Sequence, residues 1–163
     1  MKIKWYSVVG VTVVVLVTTL FIRVPLPSKG YFNFGDVAVV FAGLFLGRKF
    51  GALAGGLGSA LADVIGGFAI FAPLTFIAKG LEGLLSGFAR EKTGLPYHLF
   101  PLLGSLCMAA AYFLGETVMP QVGLAGAIAE IAPNLIQAGG GYVGGKLLFE
   151  MYSRMFEKRA ATA

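Results

Sequence analysis

The sequence predicts an all-α integral membrane protein built as a six-helix bundle, with its N- and C-termini in the cytoplasm. Three observations predict this class: 57% of the 163 residues are hydrophobic, only 13% are charged, and the mean hydropathy is +0.82. A soluble domain is instead about 45–50% apolar and about 25% charged. No segment between the apolar runs is long enough for a second domain, so residues 1–163 are predicted to form a single transmembrane domain.

Six apolar runs define the predicted helices. They cover residues 5–22, 34–47, 51–66, 73–89, 99–119 and 124–152. The first run is longer than the apolar core of a secretory signal, and no small-residue cleavage site follows it, which favours a retained helix. A membrane span needs about 20 apolar residues, so the second and third helices are predicted to be tilted, kinked or joined by a very tight turn. Segments rich in Gly, Pro or charge separate the runs, as turns do.

The orientation follows from the basic residues in the short loops. With a cytoplasmic N-terminus, the inner side collects Lys2, Lys4, Arg48, Lys49, Arg90, Lys92, Arg154, Lys158 and Arg159, and the outer side receives only Arg23 and Lys29. This bias predicts a multi-pass protein of a prokaryotic plasma membrane with both termini inside. The basic residues lie at membrane borders and form no continuous stripe, so the formal net charge of +5 does not indicate a nucleic-acid partner.

The sequence argues against several other chemistries. Cys107 is the only cysteine, and His98 is the only histidine and falls in a predicted cytoplasmic loop, so no disulfide or metal-ligand spacing is present. The stretch GGYVGGK, residues 140–146, has the spacing of a phosphate-binding loop, but Leu147 stands where Ser or Thr would hold magnesium and no strand precedes it. We interpret it as a small-residue packing face. The chain is therefore predicted to be neither an enzyme nor an ATPase, and to need no cofactor.

Polar side chains interrupt the apolar helices towards one side of the predicted bundle. Asp63 and Glu116 lie near outer helix ends, and Lys79 lies about 9 Å below Pro73 at a rise of about 1.5 Å per residue. A charge in the membrane interior costs at least about 2.5–3.5 kcal/mol, so these groups must face one another or a wet cavity. We therefore predict a cavity that opens outward. The predicted substrate-binding residues are Asn33, Asp63, Lys79, Glu82, Tyr112, Glu116, Asn134 and Gln137.

Two parts of this interpretation stay open on the residues alone. Glu82 lies one turn below Lys79 on the same face, and the pair could serve only as a structural ion pair. In the outer loop, residues 30–36, Tyr31 and Phe32 could cover a flat heterocycle or anchor the chain at the interface. Asn33 and Asp36 could face the cavity or cap the second helix. Lys79, Asn134 and Gln137 are the firmer candidates for a site, and the two amides, with their paired donors and acceptors, suit a small polar ligand.

Four motifs in order carry a family resemblance. The stretches P-x-x-GYFNFGD, GALAGGLGSALADVIGG, LTFIAKGLEGLLSG and APNLIQAGGG fall between Pro25 and Gly145. Together they resemble the substrate-binding S component of energy-coupling factor (ECF) vitamin transporters, in the branch with riboflavin, hydroxymethylpyrimidine and pyridoxine members. The resemblance implies a subunit that captures a vitamin from outside and delivers it by toppling in the bilayer against a transmembrane T component that carries two ATP-binding subunits.

The resemblance also bears on the ligand and the docking surface. Riboflavin members resemble N-x-x-K in the sixth helix, whereas this chain has Asn134 and Gln137, which implies a hydroxymethylpyrimidine- or pyridoxine-like heterocycle first and riboflavin next. The Ala-x-x-x-Ala docking pattern of helix one is not matched; the nearest spacings are Gly10-x-x-x-Val14 and Val11-x-x-x-Val15. Two rival classes remain on the sequence: a stand-alone channel or proton-coupled carrier using the buried charges as a relay, and an intramembrane enzyme using Glu with Lys.

Overall fold

The computed structural model describes residues 3–21, 23–25 and 31–161 and contains the six predicted helices. The helices are α1 Trp5–Phe21, α2 Gly35–Leu46, α3 Arg48–Ile65, α4 Ala72–Phe88, α5 Leu95–Val118 and α6 Gly123–Ala161. Three predicted ends are wrong by three residues or more: α3 begins at Arg48 rather than Gly51, α5 begins at Leu95 rather than Leu99, and α6 continues to Ala161 rather than ending at Tyr152. The earlier start of α5 places His98 in its first turn instead of a loop.

A short antiparallel ribbon connects α1 to α2. Strand β1, Arg23–Pro25, pairs with β2, Tyr31–Asn33, so that Arg23 lies opposite Asn33 and Pro25 opposite Tyr31. The sequence predicted a loop here, because strands of three residues are too short to show an alternating pattern. The ribbon fixes where Asn33 enters the bundle.

Helix α2 lies at the centre of the bundle. It packs against α1, α3, α4 and α6, and most of its residues are buried, as expected for a helix that is apolar on all sides. Gly47 alone separates α2 from α3, with φ at 77°. A positive φ is readily adopted only by glycine, so Gly47 makes a very tight turn. This turn was one of the three alternatives predicted for the second and third helices.

Glycines bring α2, α3 and α4 into close contact. A Cβ added at Gly51 would lie 2.6 Å from the Cα of Gly43 and 2.9 Å from the carbonyl oxygen of Gly83, both too close for real atoms. In the same way, Gly141 of α6 packs on Asp36. The contact at Gly141 is the close backbone approach predicted for residues 140–146, and the glycines of α2, α3 and α4 make the same kind of contact. Such contacts hold helices together where apolar side chains gain little against lipid.

The outer surface of the described bundle is largely apolar, and its interior holds charged side chains beside an apolar core. Large apolar side chains face outward, among them Phe21 at 78% exposure and Val118 at 79%. Charged side chains are buried instead, including Asp63, Lys79 and Glu82. A soluble protein arranges these classes the other way round, whereas a membrane-embedded bundle turns its charges inward.

Length and composition single out one of the described helices as able to cross a membrane by itself, Leu95–Val118. The helices Trp5–Phe21 and Gly35–Leu46 are apolar but shorter.

Candidate functional site

A polar cavity lies where four helices meet the end of β2 at one end of the bundle. The end of β2, the end of α3, the start of α4, the second half of α5 and the first half of α6 contribute to it. Its volume is about 340 Å³ including the open mouth. The lining residues are Asn33, Asp63, Phe71, Thr75, Tyr112, Glu116, Glu130, Asn134 and Gln137.

Six of the eight predicted site residues line this cavity, and Lys79 and Glu82 do not. Three lining residues were not among the predicted set: Phe71, Thr75 and Glu130. Thr75 and Glu130 each precede a predicted site residue by four positions, Lys79 and Asn134 respectively. Side chains four apart share a helix face, so this spacing is the signal by which both could have been found.

The side-chain amide of Gln137 on α6 is hydrogen-bonded to Asn33, the last residue of β2. Its Oε1 accepts a hydrogen bond from the backbone N–H of Asn33 at 2.5 Å and a longer one from Asn33 Nδ2 at 3.3 Å. Asn33 Oδ1 in turn accepts from the backbone N–H of Gly35 at 2.7 Å. Asn33 thus lines the cavity, and its side chain also bonds to the first N–H of α2, although Phe34 is the residue at the N-cap position. The side chains of Tyr31 and Phe32 lie outside the described part of the structure.

Another hydrogen bond closes the wall between α4 and α5. Tyr112 donates its hydroxyl proton to Thr75 Oγ1 at 2.9 Å, and both residues line the cavity. Lys79 lies one turn further along α4, with its ammonium 5.6 Å from the centre of the Tyr112 ring. The aromatic ring therefore lies close to both the cavity and the buried charge next to it.

Lys79 forms its ion pair with Asp36 of α2, whereas sequence analysis considered Glu82 as its partner. Lys79 and Asp36 are each 1% exposed. Glu82 accepts a hydrogen bond from Ser105 of α5 at 2.8 Å. The spacing in the sequence shows that Lys79 and Glu82 share one helix face. It does not show that α2 packs against α4 and supplies Asp36 as the partner. The role of Asp36 was therefore missed.

The cavity is acidic. Three carboxyl side chains line it, those of Asp63, Glu116 and Glu130, each no more than 4% exposed, and its described lining contains no Lys, Arg or His. Glu116 Oε2 is buried and accepts no hydrogen bond from the described residues. Carboxylates accept hydrogen bonds and attract positive charge. This arrangement suits a ligand that carries N–H or O–H donors, or a positive charge.

Comparison with known proteins gives two findings. The sequence pattern of the family described as "ECF-type riboflavin transporter, S component" matches residues 1–154. A protein of Pyrococcus woesei, described as "Uncharacterized protein in gap 3'region", is 38% identical over 145 residues, which cover 86% of this chain and 96% of that protein. The family match extends over all the cavity-lining residues.

Proposed function

This chain belongs to the ECF-type riboflavin transporter S component family, and we propose that it captures one small water-soluble vitamin in its acidic cavity. The family consists of membrane-embedded transporter components rather than enzymes. Vitamin uptake is thus the general role, and the substrate and the residues that bind it are the content of the proposal.

The cavity itself carries the proposal. Amide and carboxyl groups of Asn33, Asn134, Gln137 and Glu116 converge on one space inside a bundle whose outer surface is apolar. Convergent polar groups at a concave site are typical of small-molecule binding. In a membrane, buried polar groups are expensive and point to function.

We propose an amine- or hydroxyl-bearing heterocycle similar to hydroxymethylpyrimidine or pyridoxine as the ligand, ahead of riboflavin. The amide of Gln137 stands where riboflavin members have lysine. Acidic acceptors dominate the lining, which favours a ligand rich in donors.

The remaining parts of the proposal concern assembly and orientation. The cavity faces the outside of a prokaryotic plasma membrane, both termini lie inside, and a T component with two ATP-binding subunits drives delivery. Support for a docking partner comes from α1, where Val9, Gly10, Val13 and Val14 are exposed next to one another.

One observation favours a second candidate. Glu116 and Glu130 line one cavity together, and paired carboxyls inside a membrane can relay protons. A proton-coupled carrier would take up its substrate with this chain alone under a proton gradient. The proposed S component binds tightly but needs its ATP-binding partners for uptake, so reconstitution of the chain alone in vesicles separates the two.

Thermal unfolding of the purified protein tests the ligand class. At about 100 times its dissociation constant, a ligand stabilises the folded state by roughly 2.7 kcal/mol. We expect hydroxymethylpyrimidine or pyridoxine to raise the melting temperature more than riboflavin at equal concentration. A rise with riboflavin alone contradicts the proposed ligand class while leaving the vitamin-binding role intact.

A further inference from the structure

We propose that a basic groove at the end of the bundle opposite the cavity binds the phosphate group of an anionic phospholipid. The basic groove lies between the α2–α3 turn and the end of α4. Four cationic side chains line it, those of Arg48, Lys49, Arg90 and Lys92, against the single carboxylate of Glu91. Its volume is about 1050 Å³ including the open space above it.

The two arginines are held in place on the groove wall. Arg90 Nη1 donates a hydrogen bond to the carbonyl oxygen of Leu46 at 3.4 Å, and its side chain packs on Gly47, where a Cβ would lie 3.2 Å from Arg90 Cδ. The Arg48 guanidinium carbon lies 4.8 Å from the centre of the Phe88 ring. Arginine offers a planar fork of donors that matches phosphate oxygens, and a supported arginine loses less freedom on binding.

The start of α3 adds a second attraction for an anion. This helix begins at Arg48, within the groove, and no side chain caps its first turn. The first N–H groups of a helix lack partners within the helix and carry partial positive charge. They favour a phosphate there, in addition to the four basic side chains.

The surroundings of the groove favour a lipid over free phosphate. Its apolar lining includes Phe50 and Phe88, and Phe88 is 36% exposed and stacks on Phe100 at 5.5 Å. The basic groups therefore adjoin an apolar surface that, in a membrane-embedded bundle, meets acyl chains. A phospholipid presents the same sequence of phosphate followed by hydrocarbon, and basic pockets between membrane helices bind such head groups.

Native mass spectrometry in detergent tests the proposal, with phosphatidylglycerol as the anionic probe and phosphatidylcholine as the zwitterionic one. We expect the unaltered chain to prefer phosphatidylglycerol. The double variant Arg48→Gln and Arg90→Gln should weaken phosphatidylglycerol binding by about tenfold or more, because hydrogen bonds to charged groups are lost. If that variant fails to fold, Lys49→Gln with Lys92→Gln provides the same test with a smaller expected loss.

A matched control removes two positive charges from the same end of the bundle but outside the groove. The control variant is Lys4→Gln with Arg154→Gln. Lys4 lies at this end of the bundle, because it precedes Trp5, whose ring centre is 5.6 Å from that of Phe50. Neither Lys4 nor Arg154 lines the groove. We expect this control to keep the lipid preference. Vitamin binding, measured on the same samples, should be unchanged in every variant, so a failure here is distinct from a failure of the proposed function.

Four results would overturn the proposal. The first is no preference for phosphatidylglycerol, and the second is an equal loss in the control variant, which would assign the preference to diffuse surface charge. The third is competition by inorganic phosphate at the concentrations at which the lipid binds, which would make free phosphate the ligand. The fourth concerns the double variant Arg48→Gln and Arg90→Gln. If this variant no longer associates with a T component but keeps its preference for phosphatidylglycerol, the groove is a protein contact.

Discussion

At the scale of single residues, the ion pair between Lys79 and Asp36 is the most consequential contact next to the cavity. It joins α4 to the first turn of α2, three residues after Asn33. Both side chains are buried, and a buried charge that loses its partner is left without compensation. The pair therefore holds the start of α2, and with it Asn33, at the cavity.

Changing one member of this pair should destabilise the protein, and changing both should destabilise it less. We expect Lys79→Met or Asp36→Asn alone to cost about 3–5 kcal/mol, as measured for broken buried ion pairs. The double variant should recover part of the melting temperature lost by either single change, because neither member of the pair is stranded. Glu82 is buried next to both groups, so Glu82→Gln, whose retained oxygen still accepts the bond from Ser105, is added to the double variant to remove the third charge. A double variant as unstable as either single change would contradict this account.

The amide of Asn134 should matter for ligand binding, and the amide of Gln137 should matter both for ligand binding and for the position of Asn33. Asn134→Ala and Gln137→Ala should each cost about 1–3 kcal/mol of binding free energy, or up to roughly 100-fold in affinity. Titration calorimetry with the best ligand gives the numbers.

The control for this prediction is Ile136→Ala, a neighbour of Gln137 that is 64% exposed on the outer surface. It should leave affinity unchanged. Unchanged affinity in the Asn134 and Gln137 double variant would remove both residues from the site.

At the scale of helices, backbone contact between glycines decides the packing of α2, α3 and α4. Gly51→Ala places a methyl group 2.6 Å from Gly43 Cα, so the helices must separate, at about 1–3 kcal/mol. Gly139→Ala is the matched control, because no atom lies within 4 Å of its added Cβ, and it should be neutral or stabilising by up to about 1 kcal/mol. Melting temperatures in detergent compare them, and equal values would contradict close packing at Gly51.

The helices could be predicted from the sequence because apolar runs and the punctuation by Gly and Pro are local signals. The pattern in residues 34–66 predicted two short helices, and Gly47 turned out to be the whole connection. Helix ends that are not marked by Gly or Pro were harder to predict. Helix α6, for example, continues past Tyr152 through polar residues that lie beyond the apolar run. The ribbon of β1 and β2 depends on pairing between segments and has no local signature.

The site could be predicted only in part, for a related reason. Depth along each helix placed Asp63, Glu116, Asn134 and Gln137 towards one side of the bundle, and the structure brings them to one cavity. Which helix faces which is a tertiary property, so Asp36 was not identified as the partner of Lys79. Spacing within one helix proposed Glu82 instead.

At the scale of the whole molecule, the two ends of the bundle differ in charge. The cavity end carries buried carboxyls and amides, and the opposite end carries the basic groove. The basic residues at the second end match the excess of Lys and Arg that is expected on the cytoplasmic side of a membrane protein. The orientation that we propose, with the acidic cavity facing outward and the basic surface facing inward, fits a subunit that receives its ligand on one side of the membrane and releases it on the other.

The most direct test is to identify the small molecules that the purified protein carries. The chain is expressed, purified in detergent and denatured, and the released compounds are identified by mass spectrometry next to those from the Asn134→Ala and Gln137→Ala double variant. The account predicts one intact vitamin, a donor-rich single-ring heterocycle, that is present in the unaltered protein and depleted in the variant. Equal amounts of the same compound in both preparations, or a chemically altered product, would contradict the claim that this cavity is the binding site of a vitamin-uptake subunit.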